Sequence, residues 1–441
     1  MKRKAFLLAS IILFIACQRG RFVRHNFPAE YESPNAVDIA VLGRSLESEF
    51  DEGIFDIENF HSIFTDTQII IQLLNSESIL IKLQSDFACG QAPDLFAIWP
   101  GDLVKNFMRN RMLMDLTPYL EADPEWYGSF QYPELWAPVM SNGRIYGLPI
   151  EGITESLFVN MDILLKYKLG PPETIDDIVA ICRSLRAAGI LPLEITGWPD
   201  LSYTYQGLVC SHGTAESIAV PPTGVENNPY VDALYSLRRI YDADGFDLDL
   251  VTRLDTLRSG QAMISETAAM MFNGSWALCE VHQALGDKLK LMPFPAVNAD
   301  DPRAIIFGLG STTYYISVDP NRSRAETEEL LHFAKHITGP AAVTKAFANG
   351  YIISNIPFID KPSLVDMFPD LLTMAERLIT PPDHGFSREV WYEKILYRIP
   401  AVLKNELSPE ELWSQVGLSQ SQVDSGQSQA EKARSGNKYE R

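Results

Sequence analysis

Cysteine and histidine are scarce, with five and seven in 441 residues. No two cysteines stand in a CxxC pair, so zinc ribbons and thioredoxin-like redox motifs have no support. The histidines form no HExxH, and no nucleophile elbow, phosphate loop or other cofactor motif occurs. Neither a metal nor a cofactor is therefore expected. Positive charge is also short: 37 Lys and Arg against 57 Asp and Glu leave a formal net charge of −20. So acidic a surface favours solubility and argues against nucleic acid or anionic lipid as a partner. No internal repeat is present, which excludes a solenoid or propeller. Past the N-terminus there is no second long apolar run, so a polytopic membrane protein is excluded as well.

What is present begins at the N-terminus. Lys2, Arg3 and Lys4 precede an apolar stretch over 5–16, then Cys17, then polar residues from Gln18. That is the charged, apolar and small-residue order of an export signal, over 1–16. Its apolar part is too short to span a bilayer, which takes about 20 residues. Phe14-Ile15-Ala16-Cys17 resembles a bacterial lipobox, which implies lipidation of Cys17; the alternative is an ordinary cleaved signal with a chance cysteine. Residues 17–36, charged and carrying Pro28 and Pro34, read as a tether. At 46% hydrophobic and 21% charged, the remainder is globular, and its length suits two or three domains. Cys89, Cys182, Cys210 and Cys279 each sit in an apolar run and are expected to be buried free thiols rather than two disulfides.

Periodicity places an α/β fold. A strand is expected over 37–43 and another over 67–74. A helix follows from Ser76 with Ile79, Leu80, Leu83 and Phe87 on one face, stopped by Gly90 and Pro93, and then a strand over 94–99. Strand, helix, strand is a βαβ crossover and hence a parallel sheet. Further on, 156–160 and 268–272 are strand-like, as is 312–318. Thr174 caps a helix carrying Ile175, Ile178, Val179, Cys182 and Leu185 up to Gly189, and 326–337 is an amphipathic helix. Asn273-Gly274-Ser275 reads as a turn opening a helix at Trp276. Residues 414–441, rich in Ser, Gln, Lys and Glu, read as a disordered tail.

The stretch 90–120, Tyr146-Gly147-Leu148-Pro149-Ile150-Glu151-Gly152, Phe272-Asn273-Gly274-Ser275-Trp276 and 333–357 together resemble the extracellular solute-binding proteins of the maltose-binding-like class, in that family's order. The resemblance runs from 37 to 413. It implies a two-lobed fold with a ligand cleft and hinge. Residues 37–150 with 308–350 would form one lobe, and 151–307 with 351–413 the other. It also implies an exported, lipid-anchored monomer that hands a sugar to the permease subunits of an ABC importer.

Candidate ligand contacts follow. Trp99 and Asp102 lie just past the carboxyl end of an expected parallel strand, where α/β sheets bind ligands. An indole face suits the C–H face of a sugar, and a carboxylate accepts its hydroxyls. The alternative is a core tryptophan and a helix cap. Trp276 repeats the strand-then-aromatic arrangement and matches a position where the family stacks on its ligand. Trp391, and Trp198 in the loop-like stretch Gly197-Trp198-Pro199, are weaker matches, open to simple packing instead. Glu151 follows Pro149 at the first expected lobe crossing, with Glu155 behind it. Gly308, with Gly310 and Ser311, marks the second crossing or a plain glycine turn. Two carboxylates also permit a glycosidase, but this pair lies four apart on one segment, whereas such pairs come from separate elements. A surface carbohydrate-active enzyme or lectin-like adhesin is the competing reading.

Overall fold

The computed structural model describes residues 37–44, 67–74, 76–252, 259–309, 313–347, 353–356 and 367–416. The expected export signal, Cys17, the tether, Gly310, Ser311 and nearly all of the expected tail lie outside these residues. The chain forms two compact units. The first comprises Met1–Gly152, Leu309–Asn349 and Ser354–Ser363, and the second Ile153–Gly308, Gly350–Ile353 and Leu364–Arg441. Along the chain the principal strands are β1 (Val37–Arg44), β2 (Thr67–Leu74), β3 (Leu95–Ala97), β4 (Gly147–Pro149) and β5 (Glu151–Asn160). They continue as β6 (Leu191–Leu193), β7 (Ala268–Gly274), β8 (Leu289–Met292), β9 (Ala304–Leu309), β10 (Thr313–Ile316) and β11 (Arg377–Ile379).

In the first unit the sheet order is β2-β1-β3-β10-β4. β1 pairs parallel with both β2 and β3, so the expected crossover from β2 to β3 passes over β1. The crossover helix α1 (Ser76–Ala88) buries Ile79 and Leu83 completely, while Ile81 stands 67% exposed. That contrast is the amphipathic spacing at work. Gly90 then takes φ 67°, a left-handed value that ends the helix at no steric cost. β10 runs antiparallel to β3 and β4. Asn355 fastens the end of β4: its Nδ2 donates to the Pro149 carbonyl at 2.7 Å, its backbone N–H donates to the Ile150 carbonyl at 2.8 Å, and its Oδ1 accepts from Tyr132 N–H.

The sheet containing β5 has the order β11-β9-β5-β7-β6, with β8 also on β5. β5 is antiparallel to β7 and β8, whereas β6 and β7 are parallel. The first unit carries α2 (Asp102–Arg109), and the second carries α3 (Ile175–Ala187). Thr174 and Asp177 close a reciprocal capping box there. α4 (Trp198–His212) buries Leu201, Tyr205, Leu208 and Cys210 against β5 and β7 residues in one large core. Cys182 and Cys210 are buried free thiols and Cys279 a half-buried one, whereas Cys89 is disulfide-bonded, which corrects the expectation of four buried free thiols.

Two local expectations are corrected. Asn273-Gly274-Ser275 makes no turn: β7 continues through Gly274, and α5 (Ser275–Leu285) starts at the next residue. Trp198 does not sit in a loop but is the first residue of α4, behind Gly197.

Candidate ligand site

In the first unit, Trp99 is half-buried and precedes α2, whose N-cap is Gly101. Asp102 is the first residue of that helix rather than its cap, which is the extended Gly101. Its residue surface is exposed, yet desolvation of the carboxyl holds its pKa above the usual range against the pull of Lys105 and Arg109. Glu151 opens β5 and is buried. Burial first, and Glu151 second, push the Tyr314 phenol upward.

The second unit gathers more. Trp276, one residue into α5, is 41% exposed, an unusual position for so large an apolar ring. Its ring lies back over the strand end: a Cβ added at Gly274 would meet the Trp276 ring at 2.2 Å. Gly274 has an extended backbone, φ −105°, so the glycine serves this close approach and not a turn. Trp276 also lies beside Tyr203 of α4, with ring centroids 5.1 Å apart and tilted by 55°. Directly across the β5–β7 ladder from Gly274 is Glu155.

Glu155 is 4% exposed, and its Oε2 has no hydrogen-bond partner among the described residues. Burial, reinforced by neighbouring Asp383, raises its carboxyl well above the ordinary range. Asp383 stands in the short 3₁₀ turn Pro382–Gly385, and its N–H donates to Gln206 Oε1 of α4 at 3.3 Å. Gly308 of β9 lets that turn come close, since a Cβ there would lie 2.9 Å from Pro381 Cδ. Asp200 of α4 is 3% exposed; its Oδ2 accepts from Thr196 N–H and Oγ1 at 3.0 and 2.8 Å. Its Oδ1 has no partner among the described residues. Burial, then Glu155, Tyr392, Asp200 and Asp383, raise the pKa of the Tyr203 phenol.

An aromatic line extends this face. Tyr392 and Tyr397 have ring centroids 6.0 Å apart, and Tyr397 meets Trp198 edge-on at 4.6 Å. Trp198 is half-buried and Tyr397 49% exposed. The arrangement therefore offers flat apolar rings beside carboxyl oxygens, the combination that stacks on a polyhydroxylated ring and accepts its hydroxyls. Among the described residues no group of three His, Cys, Asp or Glu is arranged to hold a metal ion.

Trp391 does not join this line, and the expectation of a stacking contact there is corrected. It is 2% exposed, donates from Nε1 to Ser202 Oγ at 2.9 Å, and packs against Tyr205 and Phe386 in the core. The structure thus brings Glu155, Trp276 and the Gly308-supported turn together with Trp198 nearby. Trp99, Asp102 and Glu151 belong to the other unit. Asp200, Tyr203, Asp383, Tyr392 and Tyr397 were missed in the sequence. One signal was available for two of them: Asp200 and Tyr203 stand three apart and share a helix face once Trp198 is read as a helix start.

The sequence profile of bacterial extracellular solute-binding proteins matches residues 39–343. The melibiose/raffinose/stachyose-binding protein MelE of Bacillus subtilis (strain 168) is 27% identical over 126 residues, 24% of this chain and 29% of MelE. The chain thus matches under a third of that relative's length. Among solved structures, one from work on xylan utilization by the thermophilic bacterium Caldanaerobius polysaccharolyticus superposes with TM-score 0.73 at 18% identity, covering 86% of this chain and 99% of that one. A chitin oligosaccharide binding protein gives TM-score 0.72 at 16% identity, covering 89% and 100%. At these identities the structural likeness is one of fold.

Proposed function

The chain belongs to the bacterial extracellular solute-binding protein family, and on that premise we propose that it captures a sugar or oligosaccharide for an ABC importer. The observation that carries the choice of ligand is the exposed Trp276 ring, braced by Gly274 and Tyr203, with Glu155 at the same end of the strand pair. MelE, named for binding melibiose, raffinose and stachyose, and the chitin oligosaccharide binding protein support the same class. Trp99, Asp102 and Glu151 are assigned as further contacts from the first unit, and Trp198 as an outer stacking surface. The protein works as a monomer that delivers its ligand to permease subunits and performs no chemistry on it. Glu151 and Glu155 act as hydroxyl acceptors: they share one strand, where a hydrolase would draw its acid and its nucleophile or base from opposite sides of the bond.

Titration calorimetry with raffinose, a xylooligosaccharide and a chitin oligosaccharide tests this reading, with each mixture assayed afterwards for cleavage. At least one should bind saturably and come back intact. Failure of all three to bind, or steady release of products, overturns it.

Cys17 is assigned as the lipid anchor. Acyl chains hold a protein at a membrane by burying CH₂ groups, and more than one chain is needed for stable attachment. Palmitate should label the wild type and not Cys17→Ser, and the variant should leave the membrane fraction. Equal labelling of both would remove the anchor from the account.

A further inference from the structure

β6 and β7 run parallel, with Leu193 opposite Met270, and α4 follows β6 as α5 follows β7. Both helices therefore begin at the carboxyl edge of the parallel pair, where α/β sheets take ligands. α5 carries Trp276 at its start, and α4 carries Asp200 in its first turn. Asp200 and Tyr203 stand three apart and so share a face of α4. The Tyr203 ring in turn lies 5.1 Å from the Trp276 ring. Strand register, helix phase and ring contact together bring Asp200 to the exposed tryptophan.

Asp200 is held in one orientation. Its Oδ2 accepts from Thr196 N–H at 3.0 Å and from Thr196 Oγ1 at 2.8 Å, and Thr196 is itself buried. The helix makes no use of the other oxygen. α4 has no side-chain cap bond, and Asp200 Oδ1 has no hydrogen-bond partner among the described residues. The residue is 3% exposed, so bulk water does not satisfy that oxygen. An acid in the first turn of a helix gains from the helix dipole. That gain needs neither burial nor a fixed rotamer, and an unpaired buried acceptor works against stability. A missing partner that arrives with the ligand accounts for both features.

We propose that Asp200 is a further ligand-binding residue: its Oδ1 accepts a hydrogen bond from a hydroxyl of the bound sugar, beside Trp276 and Tyr203, and Thr196 is the positioning residue that aims it. The inference rests on the carbohydrate reading above and deepens it. An oxygen fixed in advance by two bonds has little freedom left to lose on binding. Being buried, it also discriminates against a sugar that lacks a hydroxyl at that place, because such a sugar leaves it unpaired.

The test measures binding of raffinose, a xylooligosaccharide and a chitin oligosaccharide to the full chain and three variants by calorimetry, with melting temperatures taken alongside. In Asp200→Asn the Thr196 N–H holds the amide oxygen in the place of Oδ2. The amide nitrogen then takes the place of Oδ1, so a donor replaces the acceptor while the contacts within the fold survive. Affinity for the best-binding probe should fall on the order of tenfold or more, with the melting temperature close to that of the wild type. Thr196→Val removes the aiming hydroxyl and should weaken binding, whereas Thr196→Ser keeps it and should bind as the wild type does. Unchanged affinity in Asp200→Asn, as an internal water on Oδ1 would give, overturns the assignment while the carbohydrate reading stands. Equal binding by Thr196→Val and Thr196→Ser overturns the positioning role, and it overturns the whole assignment where Asp200→Asn does not fold. If no probe binds the wild type, the carbohydrate reading falls and the Asp200 assignment with it.

Discussion

Trp276 and Trp391 show how differently one residue type is used. The first leaves 41% of its surface open and the second 2%. Sequence spacing could not separate them because Trp391 lies in a π-helical turn, Glu389–Ile395, where the wider winding shifts the phase of the inward face. Trp391 turns inward there and leaves Tyr392 half-buried beside the carboxyl cluster. The two tryptophans should answer to truncation in opposite ways. Trp391→Ala empties a packed core position and removes a hydrogen bond to Ser202, and should cost about 3–5 kcal/mol of stability. Trp276→Ala removes a half-open ring and should cost about 1 kcal/mol or less of stability, with the loss falling on ligand affinity. Chemical denaturation and calorimetry on both variants check this, and a larger stability loss for Trp276→Ala would reverse the assignment. Glu155 was legible as a candidate, but its burial and its acidic neighbours were not. Asp383 reaches it only through a distant turn, and no local pattern reports such a pairing.

At the scale of elements, what was legible followed from short-range rules. The strand at Thr67–Leu74 has the bounds its Ile-rich run gave, the helix at Ile175–Ala187 follows its capping residue Thr174, and the helix Arg324–Ile337 contains the amphipathic run over 326–337 and ends with it. Each rests on neighbours within one turn or one strand. The failures came where a residue serves a partner far along the chain. Asn273-Gly274-Ser275 has the composition of a turn, yet its glycine is spent on clearing space for the Trp276 ring. Gly308 likewise has no turn to make and instead admits Pro381, so that the 3₁₀ turn carrying Asp383 can seat beside α4. Trp198 looked like a loop residue because Gly197 and Pro199 flank it, but glycine before a helix and proline in its first turn are a helix start.

For the whole molecule, the α/β class and the family were both within reach of the sequence, since ordered landmarks across the chain survive where single motifs are weak. The profile match over residues 39–343 and the likeness to solved solute-binding structures establish them. Beyond that, ligand identity depends on a few side chains that the same fold can exchange, which is why fold alone does not name a solute. The account's central claim is that the solute is held by the aromatic and acidic face built from β5, α4, α5 and the Pro382–Gly385 turn. A crystal structure of the protein with its tightest-binding sugar tests that claim most directly. The account predicts a sugar ring against Trp276 and Tyr203, with a polar group of the ligand within hydrogen-bond distance of Glu155 Oε2. A bound sugar that touches none of Trp276, Tyr203 and Glu155 would contradict it.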